Sequence, residues 1–490
     1  MKKFSKVLSI LLSVVLVVSS FYLLYQVIRL NVLPSKFLFP LTIGVVVLDA
    51  IFILLLIYFS KNVVSKIICV VLTLLVCAAS CFGGYYISKT KSALSNITNV
   101  AKHAKNTVSV IVKESSSIKN KSQLNGVSVG SLRLNEQGSK KVLKELSSEG
   151  IVLNQTEYDS MTTLLEAFYN GEVDSIIINE SSRSQILDME AYSNFDSNTR
   201  VVYQTSYKVK NNDSATSVSD ITSKPFNVLI SGSDTRGGFD ENGRSDVIMI
   251  ATVNPKTHTI LLTSVPRDFY VTTACDAGDG CMQGALDKIT HTGIHGTNTT
   301  KRTVEQLLGI EINYTFKVGF DTVTELVDVL GGVDVYVEPG YATTTSEFSV
   351  HEGVNHLNAQ QALAFARERY SYTEGDRQRT KNQQQVLMGI VKEATKPSVI
   401  TNYAAIMDTM ANTFSTTMSN AEITDLIKYQ LNNNPTWKME QYMVDGTGDT
   451  LMCAELGDAA SVMVPDQSTV KIAKDKINAV LAGKSSEDVK

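Results

Sequence analysis

The sequence predicts an α/β protein in three parts. These are an N-terminal three-helix membrane anchor, a small α/β domain, and a larger α/β/α layered domain with a central mixed sheet. Three observations lead there. Residues 1–88 are overwhelmingly apolar, whereas the remainder has ordinary globular composition. From about Thr107 onward, apolar runs of strand length alternate with stretches of helical periodicity, the pattern of helices layered on a sheet. The chain has 490 residues, more than one ordinary domain uses.

The anchor comes first. Residues 7–28 and 67–88 contain no charge, and residues 37–60 contain only Asp49. Each run is long enough to cross a hydrocarbon core of roughly 30 Å as a helix. A cleavable signal peptide competes for the first run, but two further runs favour an anchor. Lys2, Lys3 and Lys6 precede the first run, Arg29 and Lys36 follow it, and Lys61 and Lys66 separate the second from the third. Basic residues favour the cytoplasm. The Lys-rich start then predicts a multi-pass protein of the cell membrane, with everything after about Lys89 outside the cell. Asp49 is a functional candidate by its position in a span, or a neutral carboxyl packed against a neighbouring helix. With no Lys or Arg in the other spans, packing is the expectation.

The outer part divides into a connector at 89–106, an accessory α/β domain at 107–210, a polar linker at 211–224 rich in Ser, Thr, Asn and Asp, a main domain at 225–445 and a C-terminal extension at 446–490. In the accessory domain the pattern predicts strands over 107–112, 126–130, 173–178 and 201–209. Helices are expected over 139–148 and 160–170, the second with Met161, Leu164, Leu165 and Phe168 at helical spacing. In the main domain it predicts strands over 226–231, 246–253, 259–265, 314–318 and 333–337. Helices are expected over 301–308, 321–330, 357–369 and 376–394.

Several function classes are excluded early. A net charge of −4 provides no basic field for nucleic acid. Zinc signatures, a Gly-rich phosphate loop with its Lys, and a nucleophile elbow are all missing from the sequence. Of six cysteines, Cys69, Cys77 and Cys81 lie in an apolar run. Cys275 and Cys281 flank a short Gly-containing loop outside the cell, where a disulfide and two free thiols are both open and the oxidising location favours the bridge. Cys453 has no obvious partner and is expected to be buried or free.

The polar chemistry concentrates in four places. Ser231-Gly-Ser-Asp234-Thr-Arg236 ends one strand, and Arg244-Ser-Asp246 opens the next. Gly237, Gly238 and Gly243 between them permit a reversal that would set Asp234 beside Asp246. Paired carboxylates suit Mg²⁺, which fills its shell with water and substrate phosphates. Alternatively, Asp234 forms an Asx turn and Asp246 caps a strand. Ser264-Val-Pro-Arg267-Asp268 ends a third strand. The fourth place is Arg367-Glu-Arg369-Tyr, followed by a helix on which Asp376, Arg379 and Gln383 share a face. Arg suits phosphate through its planar fork, although a solvated basic helix has the same composition. Several Arg and two Asp, without a Ser–His or Cys–His pair, describe a pyrophosphate site where positioning and charge do the catalysis.

In order along the chain, the run from Asn227 through Asp234 and Arg236, Arg244-Ser-Asp246, Ser264-Val-Pro-Arg267-Asp268, Asp287-Lys288-Ile-Thr-His291, Gly331-Gly-Val-Asp334 and Ala364-Phe-Ala-Arg367-Glu-Arg369-Tyr closely resembles the LytR–CpsA–Psr family over about 225–396. The three spans and the intervening α/β domain look like its streptococcal capsule-type branch. The resemblance implies a ligase that moves a glycan, expected to be capsular polysaccharide, from an undecaprenyl-pyrophosphate carrier to a peptidoglycan hydroxyl as a phosphodiester. Capsule polymerisation and export proteins are further expected partners. It implies Asp234 and Asp246 as Mg²⁺ ligands and, with Arg267, as the catalytic group. Arg244, Arg267, Lys288, Arg367, Arg369, Arg379 and Gln383 would bind the pyrophosphate. It also implies an apolar polyprenyl tunnel between sheet and helices, with 316–330 and 386–390 as candidate walls, although an ordinary core explains those runs as well. One position departs: where many members read Arg-Gln-Gln, this chain has Asn382-Gln383-Gln384, which weakens or removes one phosphate contact. Two other readings stay open. The protein could be a regulator or receptor of lipid-linked glycan, or a lipid pyrophosphate hydrolase in which water replaces the sugar hydroxyl.

Overall fold

The computed structural model describes residues 2–59, 62–98, 103–133, 136–233, 241–276, 281–396, 398–411 and 414–489. Among these, three helices are long and apolar enough to cross a membrane: α1 (Lys2–Leu30), α2 (Ser35–Leu54, continued by a π-helical turn) and α3 (Val63–Thr98). Asp49 on α2 is buried against α1 and accepts a hydrogen bond from Ser20 Oγ at 2.8 Å. The intramembrane carboxyl thus packs between helices as the sequence suggested. The far end of α3 continues past the apolar run as a stalk, burying Ala93, Leu94 and Ile97 against the main domain.

The accessory domain comprises β1 (His103–Lys113), β2 (Ser128–Leu132), α4 (Glu136–Ser148), β3 (Asn154–Tyr158), α5 (Met161–Asn170), β4 (Ser175–Asn179), α6 (Arg183–Asp188), α7 (Phe195–Asn198) and β5 (Thr199–Lys210). Its strands pair in the order β3-β2-β4-β1-β5. Alternate side chains face opposite ways along a strand. Ile176 and Ile178 therefore join Leu164, Leu165 and Phe168 of α5, while Ile177 joins Val142 and Leu146 of α4 on the other face. β3 was not expected. Its sequence, Asn-Gln-Thr-Glu-Tyr, is polar and exposed because it lies at the sheet edge.

The main domain opens with β6 (Phe226–Ser233), β7 (Val247–Asn254) and β8 (Thr259–Val265). A small ladder of β9 (Tyr270–Thr272) with β10 (Leu286–Lys288) leads into a 3₁₀ segment (Ile289–His295). Then follow α8 (Thr297–Leu308), β11 (Tyr314–Gly319), α9 (Phe320–Leu330), β12 (Val333–Val337), β13 (Thr343–Thr344), β14 (Ser349–Val350), β15 (Gly353–Leu357), α10 (Ala359–Arg367), α11 (Asp376–Ala394), α12 (Val399–Met410), β16 (Phe414–Thr416), α13 (Asn420–Asn433) and β17 (Lys438–Met443). The chain closes with a hairpin of β18 (Gly446–Cys453) and β19 (Asp458–Pro465), and α14 (Gln467–Leu481). The central sheet runs β16-β11-β6-β7-β8-β17 and is mixed: β11 is parallel to β6 and β17 to β8, while β6, β7 and β8 are mutually antiparallel.

Both faces of this sheet are covered. Leu229, Ile248, Ile250 and Leu261 pack against Val304 of α8 and Val470, Ala473 and Ile477 of α14. Val228, Met249, Ala251 and Leu262 face Leu387 and Met388 of α11 and Ile423 of α13. Each fully buried aliphatic side chain contributes roughly 1.5–3 kcal/mol, so α14, in the stretch read from the sequence as a C-terminal extension, is part of the domain core. Two helix bounds are corrected. α8 starts at Thr297 rather than 301, because its first turn of Thr and Asn lacks an apolar signal. α10 ends at Arg367, so Arg369 lies beyond the helix; Glu368 is already extended, with φ −68° and ψ 129°.

Candidate active site

The antiparallel order of β6, β7 and β8 brings the end of β6, the start of β7 and the end of β8 to one edge of the sheet. Asp246 N–H donates to Gly232 O at 2.8 Å across the β6–β7 register. Pro266 then ends β8 and turns Arg267 onto the same edge. Gly293 makes the arrangement tight: a Cβ there would lie 2.5 Å from Gly243 O and 2.6 Å from Ser245 N. The 3₁₀ segment can thus pass directly under the backbone that carries Arg244.

The charged side chains form a chain of contacts. Arg267 Nη1 donates to Asp246 Oδ1 at 2.9 Å, and Arg244 Nη2 lies 3.9 Å from the same oxygen. Asp268 is 3.9 Å from Arg267 Nε and 3.2 Å from Lys288 Nζ. On α11, Arg379 Nη2 lies 2.6 Å from Asp376 Oδ1, without the alignment of a hydrogen bond. Burial acts against the charge of Arg267, but Asp246, Asp268 and Asp376 more than offset it and raise its pKa. Arg379 goes the other way: burial, reinforced by Arg267 and Arg369, lowers it despite Asp376 and Asp246.

One feature recurs three times. The Nε–H groups of Arg244, Arg267 and Arg379 are buried and have no hydrogen-bond acceptor among the described residues. Their side chains are only 11, 17 and 13% exposed. A buried guanidinium normally finds acceptors for its donors; two such vacancies at the sheet edge and a third on α11 could accept a polyanion.

The remaining sequence-predicted residues are distributed around this cluster. Asp234, with Arg236, lies outside the described residues. Arg369 stacks on Tyr370 at 4.7 Å and donates to its hydroxyl at 2.5 Å, while its charge is felt at Arg379. Arg367 closes α10 and is exposed. Gln383 lines a cavity of about 80 Å³ between sheet and helices. Its other walls are apolar: Ile230, Val247 and Met249 from the sheet, Val323 from α9, Leu363 from α10, and Val386, Leu387 and Ile390 from α11. Ser233, the last residue of β6, is its second polar lining. Asn382, at the position that departs from the family pattern, is buried and donates to Phe365 O at 3.0 Å. It ties α11 to α10. A larger cavity of about 450 Å³, lined by Tyr336, Lys392 and Trp437, includes none of the arginines.

Sequence reasoning missed two participants. Ser233 Oγ is buried without a partner among the described residues, one step past the register pair Gly232–Val247 and so opposite Asp246. Asp188, on the accessory domain, is ion-paired with Arg244 Nη1; nothing in the sequence links positions so far apart. As for Mg²⁺, no group of three or more His, Cys, Asp or Glu among the described residues is placed to hold a metal. The donor chemistry nevertheless fits. Asp246 supplies a hard carboxylate and Ser233 an unengaged hydroxyl, and Mg²⁺ needs only one or two carboxylates when phosphate and water complete its shell.

Cys275 and Cys281 are joined in a disulfide, with Cα atoms 6.1 Å apart. Cys453 is free and fully buried, and burial, then Asp287, pushes its thiol up to about 12.

Comparison with known proteins gives a consistent result. The LytR_cpsA_psr family model matches residues 191–478. The polyisoprenyl-teichoic acid–peptidoglycan teichoic acid transferase TagU of Bacillus cereus (strain AH820) is 31% identical over 241 residues, covering 49% of this chain and 76% of that protein. TagU of Bacillus subtilis (strain 168) is 35% identical over 196 residues, covering 40% and 60%. The crystal structure of B. subtilis TagU superposes with a TM-score of 0.41 at 28% identity, covering 53% of this chain and 97% of that one.

Proposed function

Because this chain belongs to the LytR_cpsA_psr family, we propose that it transfers a glycan from a polyprenyl-pyrophosphate carrier to a peptidoglycan hydroxyl. The observation that carries this reading is the set of three buried Arg Nε–H groups, without an acceptor among the described residues, beside an apolar cavity. Together they suit a ligand with a doubly phosphorylated head and a hydrocarbon tail. The relatives named for polyisoprenyl-linked teichoic acid transfer support the same chemistry.

In this mechanism Arg244, Arg267 and Arg379 hold the pyrophosphate, and Lys288, Arg367, Arg369 and Gln383 complete its surroundings. The polyprenyl chain enters the cavity lined by Val386, Leu387 and Ile390. The acceptor hydroxyl attacks the phosphorus that bears the sugar. The new P–O bond forms as the phosphoanhydride bond breaks, and polyprenyl phosphate leaves. Negative charge grows on the bridging oxygen, where the preorganised guanidinium groups are most effective. Asp234 and Asp246 would hold Mg²⁺, which supplies charge neutralisation of the phosphates when bound. Asp234 is the candidate to accept the hydroxyl proton, because no His lies among the Asp and Arg clusters.

The finer assignments follow from the chain's organisation. Three apolar helices and an accessory domain favour the capsule-type branch and a capsular polysaccharide donor. Capsule polymerisation and export proteins are the partners such a donor implies. Lys36 Nζ donates to Asn432 O and Lys428 Nζ to Asn31 Oδ1, both at 2.8 Å. These contacts support three crossings, with the α1–α2 turn on the same side as the main domain. Combined with the Lys-rich start, they support an extracellular main domain; protease applied to wall-stripped cells should remove it, and complete protection would contradict the topology.

The decisive assay incubates the full-length protein in nanodiscs with Mg²⁺, a peptidoglycan fragment and a lipid-linked capsular or teichoic oligosaccharide, followed by product analysis. Coupled glycan–peptidoglycan is expected, with the capsular donor preferred. Release of unlinked glycan phosphate alone would make the protein a hydrolase. Donor binding without turnover would make it a receptor.

A further inference from the structure

We propose that Asp188 of the accessory domain is a positioning residue for the transferase site: it fixes Arg244 from outside and leaves the inward Nε–H of that arginine for the donor phosphate. The proposal rests on the pyrophosphate reading above and adds a second domain to it.

The geometry divides Arg244 into two edges. Its Nη1 is paired with the Asp188 carboxylate, which is 57% exposed, while the Arg244 side chain itself is 11% exposed. Its Nη2 lies 3.9 Å from Asp246 Oδ1, and its Nε is buried without an acceptor among the described residues. A guanidinium presents five donors in a rigid fork. Anchoring one edge therefore orients the other without consuming it.

Asp188 is well placed to anchor. It is the last residue of α6, whose first residue, Arg183, is held by Glu180 at 2.6 and 2.8 Å and by Asp196 at 3.0 Å. Ile186 of the same helix is fully buried in the accessory core. A site is accurate when its supporting shell is itself locked. The whole domain is also seated next to the site. Lys105 Nζ lies 3.0 Å from Glu241 Oε1, and Thr107 Oγ1 donates to that oxygen. Met161 N–H donates to Leu456 O at 2.9 Å and Thr162 N–H to Asp458 Oδ2 at 3.3 Å. These contacts seat the accessory domain on the main domain at two further places.

Two other roles for the pair make different predictions. As a competitor, Asp188 would stand where a phosphate oxygen belongs, and its removal would tighten donor binding. As a simple tie between domains, its removal would loosen the seat and leave chemistry alone. Its exposed position argues against the first, because solvent and salt screen its charge from the buried edge. The unpaired Nε argues against the second.

The test uses full-length protein in nanodiscs and measures donor binding and transfer for Asp188→Ala, Asp188→Asn, Asp188→Glu, Arg244→Ala and the Asp188→Ala/Arg244→Ala double variant. Misorienting a group that contacts the reacting centre costs on the order of tenfold to a hundredfold in rate. Asp188→Ala and Asp188→Asn should show that loss, with Asp188→Glu restoring much of it. The double variant should be no slower than Arg244→Ala. Thr107→Ala, which loosens the seat elsewhere, should transfer normally. Tighter donor binding by Asp188→Asn, or normal transfer by Asp188→Ala beside an inactive Arg244→Ala, overturns this proposal alone. Normal transfer by Arg244→Ala overturns the pyrophosphate reading at that residue together with it.

Discussion

The two α/β domains each bury arginine, and they do so in opposite ways. In the accessory domain Arg183 is 10% exposed and has an acceptor at each of its three nitrogens: Nε and Nη2 donate to Glu180, Nη1 donates to Asp196, and the guanidinium lies 5.5 Å from the centre of the Phe195 ring. Burial acts against its charge, but Glu180 and Asp196 restore it and raise its pKa. In the main domain Arg244, Arg267 and Arg379 are comparably buried, yet the Nε–H of each has no acceptor among the described residues, and Arg379 is lowered by burial. An arginine with an acceptor at every nitrogen holds a fold together. An arginine left short of acceptors is destabilising in the empty protein, a cost that a ligand supplying those acceptors would offset.

The most forceful way to break this comparison is to remove the unsaturated group. Arg267→Ala and Arg379→Ala should reduce transfer a hundredfold or more, the typical cost of losing a preorganised donor, while circular dichroism shows the fold retained. Asp246→Ala should also lose activity, with part of the loss depending on Mg²⁺ concentration. Near-normal transfer by Arg267→Ala and Asp246→Ala would class these residues with ordinary surface ion pairs.

The converse experiment targets the saturated arginine. Arg183→Ala leaves Glu180 without its cation, and such a change costs about 3 kcal/mol. The loss should appear as earlier unfolding of the accessory domain, and a melt indistinguishable from wild type would remove the contrast. Cysteine chemistry sharpens it at a smaller scale. The Cys275–Cys281 bridge closes a short loop and should contribute about 2 kcal/mol, visible as a lower denaturant midpoint after mild reduction. Cys453 should resist thiol reagents at pH 8 until the protein unfolds, because its thiol is pushed up to about 12 and lies in the interior; rapid labelling of native protein would refute that.

The smallest effect belongs to an exposed pair. His356 is raised by its hydrogen bond to Asp334 at 2.9 Å, and Asp334 is lowered by the same contact. For a raised His, the stabilisation is present below its ordinary pKa of 6.5 and is lost as pH rises through the folded value. With the His side chain 61% exposed, solvent limits the pair to a few tenths of a kcal/mol. His356→Gln should therefore shift the melt slightly at pH 5.5 and not at all at pH 9, and an equal shift at both would show a packing role instead.

Much of this architecture was legible in the chain because its causes are local. Long apolar runs predict the three long helices, short apolar runs predict β6, β7 and β8, and helical spacing predicts α5 and α11. Polar edges were hidden for a physical reason: β3 sits at a sheet margin and buries nothing that a hydrophobic pattern could report. The strand ends carrying Arg244, Asp246 and Arg267 could be nominated from residue type and spacing alone. Tertiary structure decided which of these nominated side chains share an edge, because antiparallel pairing of β6, β7 and β8 sets their ends together. It also decided which arginine donors are left unsatisfied, since satisfaction depends on acceptors contributed by distant segments. That is why Asp188, on another domain, could be connected to Arg244 only in three dimensions. The same holds for α14, whose modest apolar stripe becomes core only because a sheet face waits beneath it.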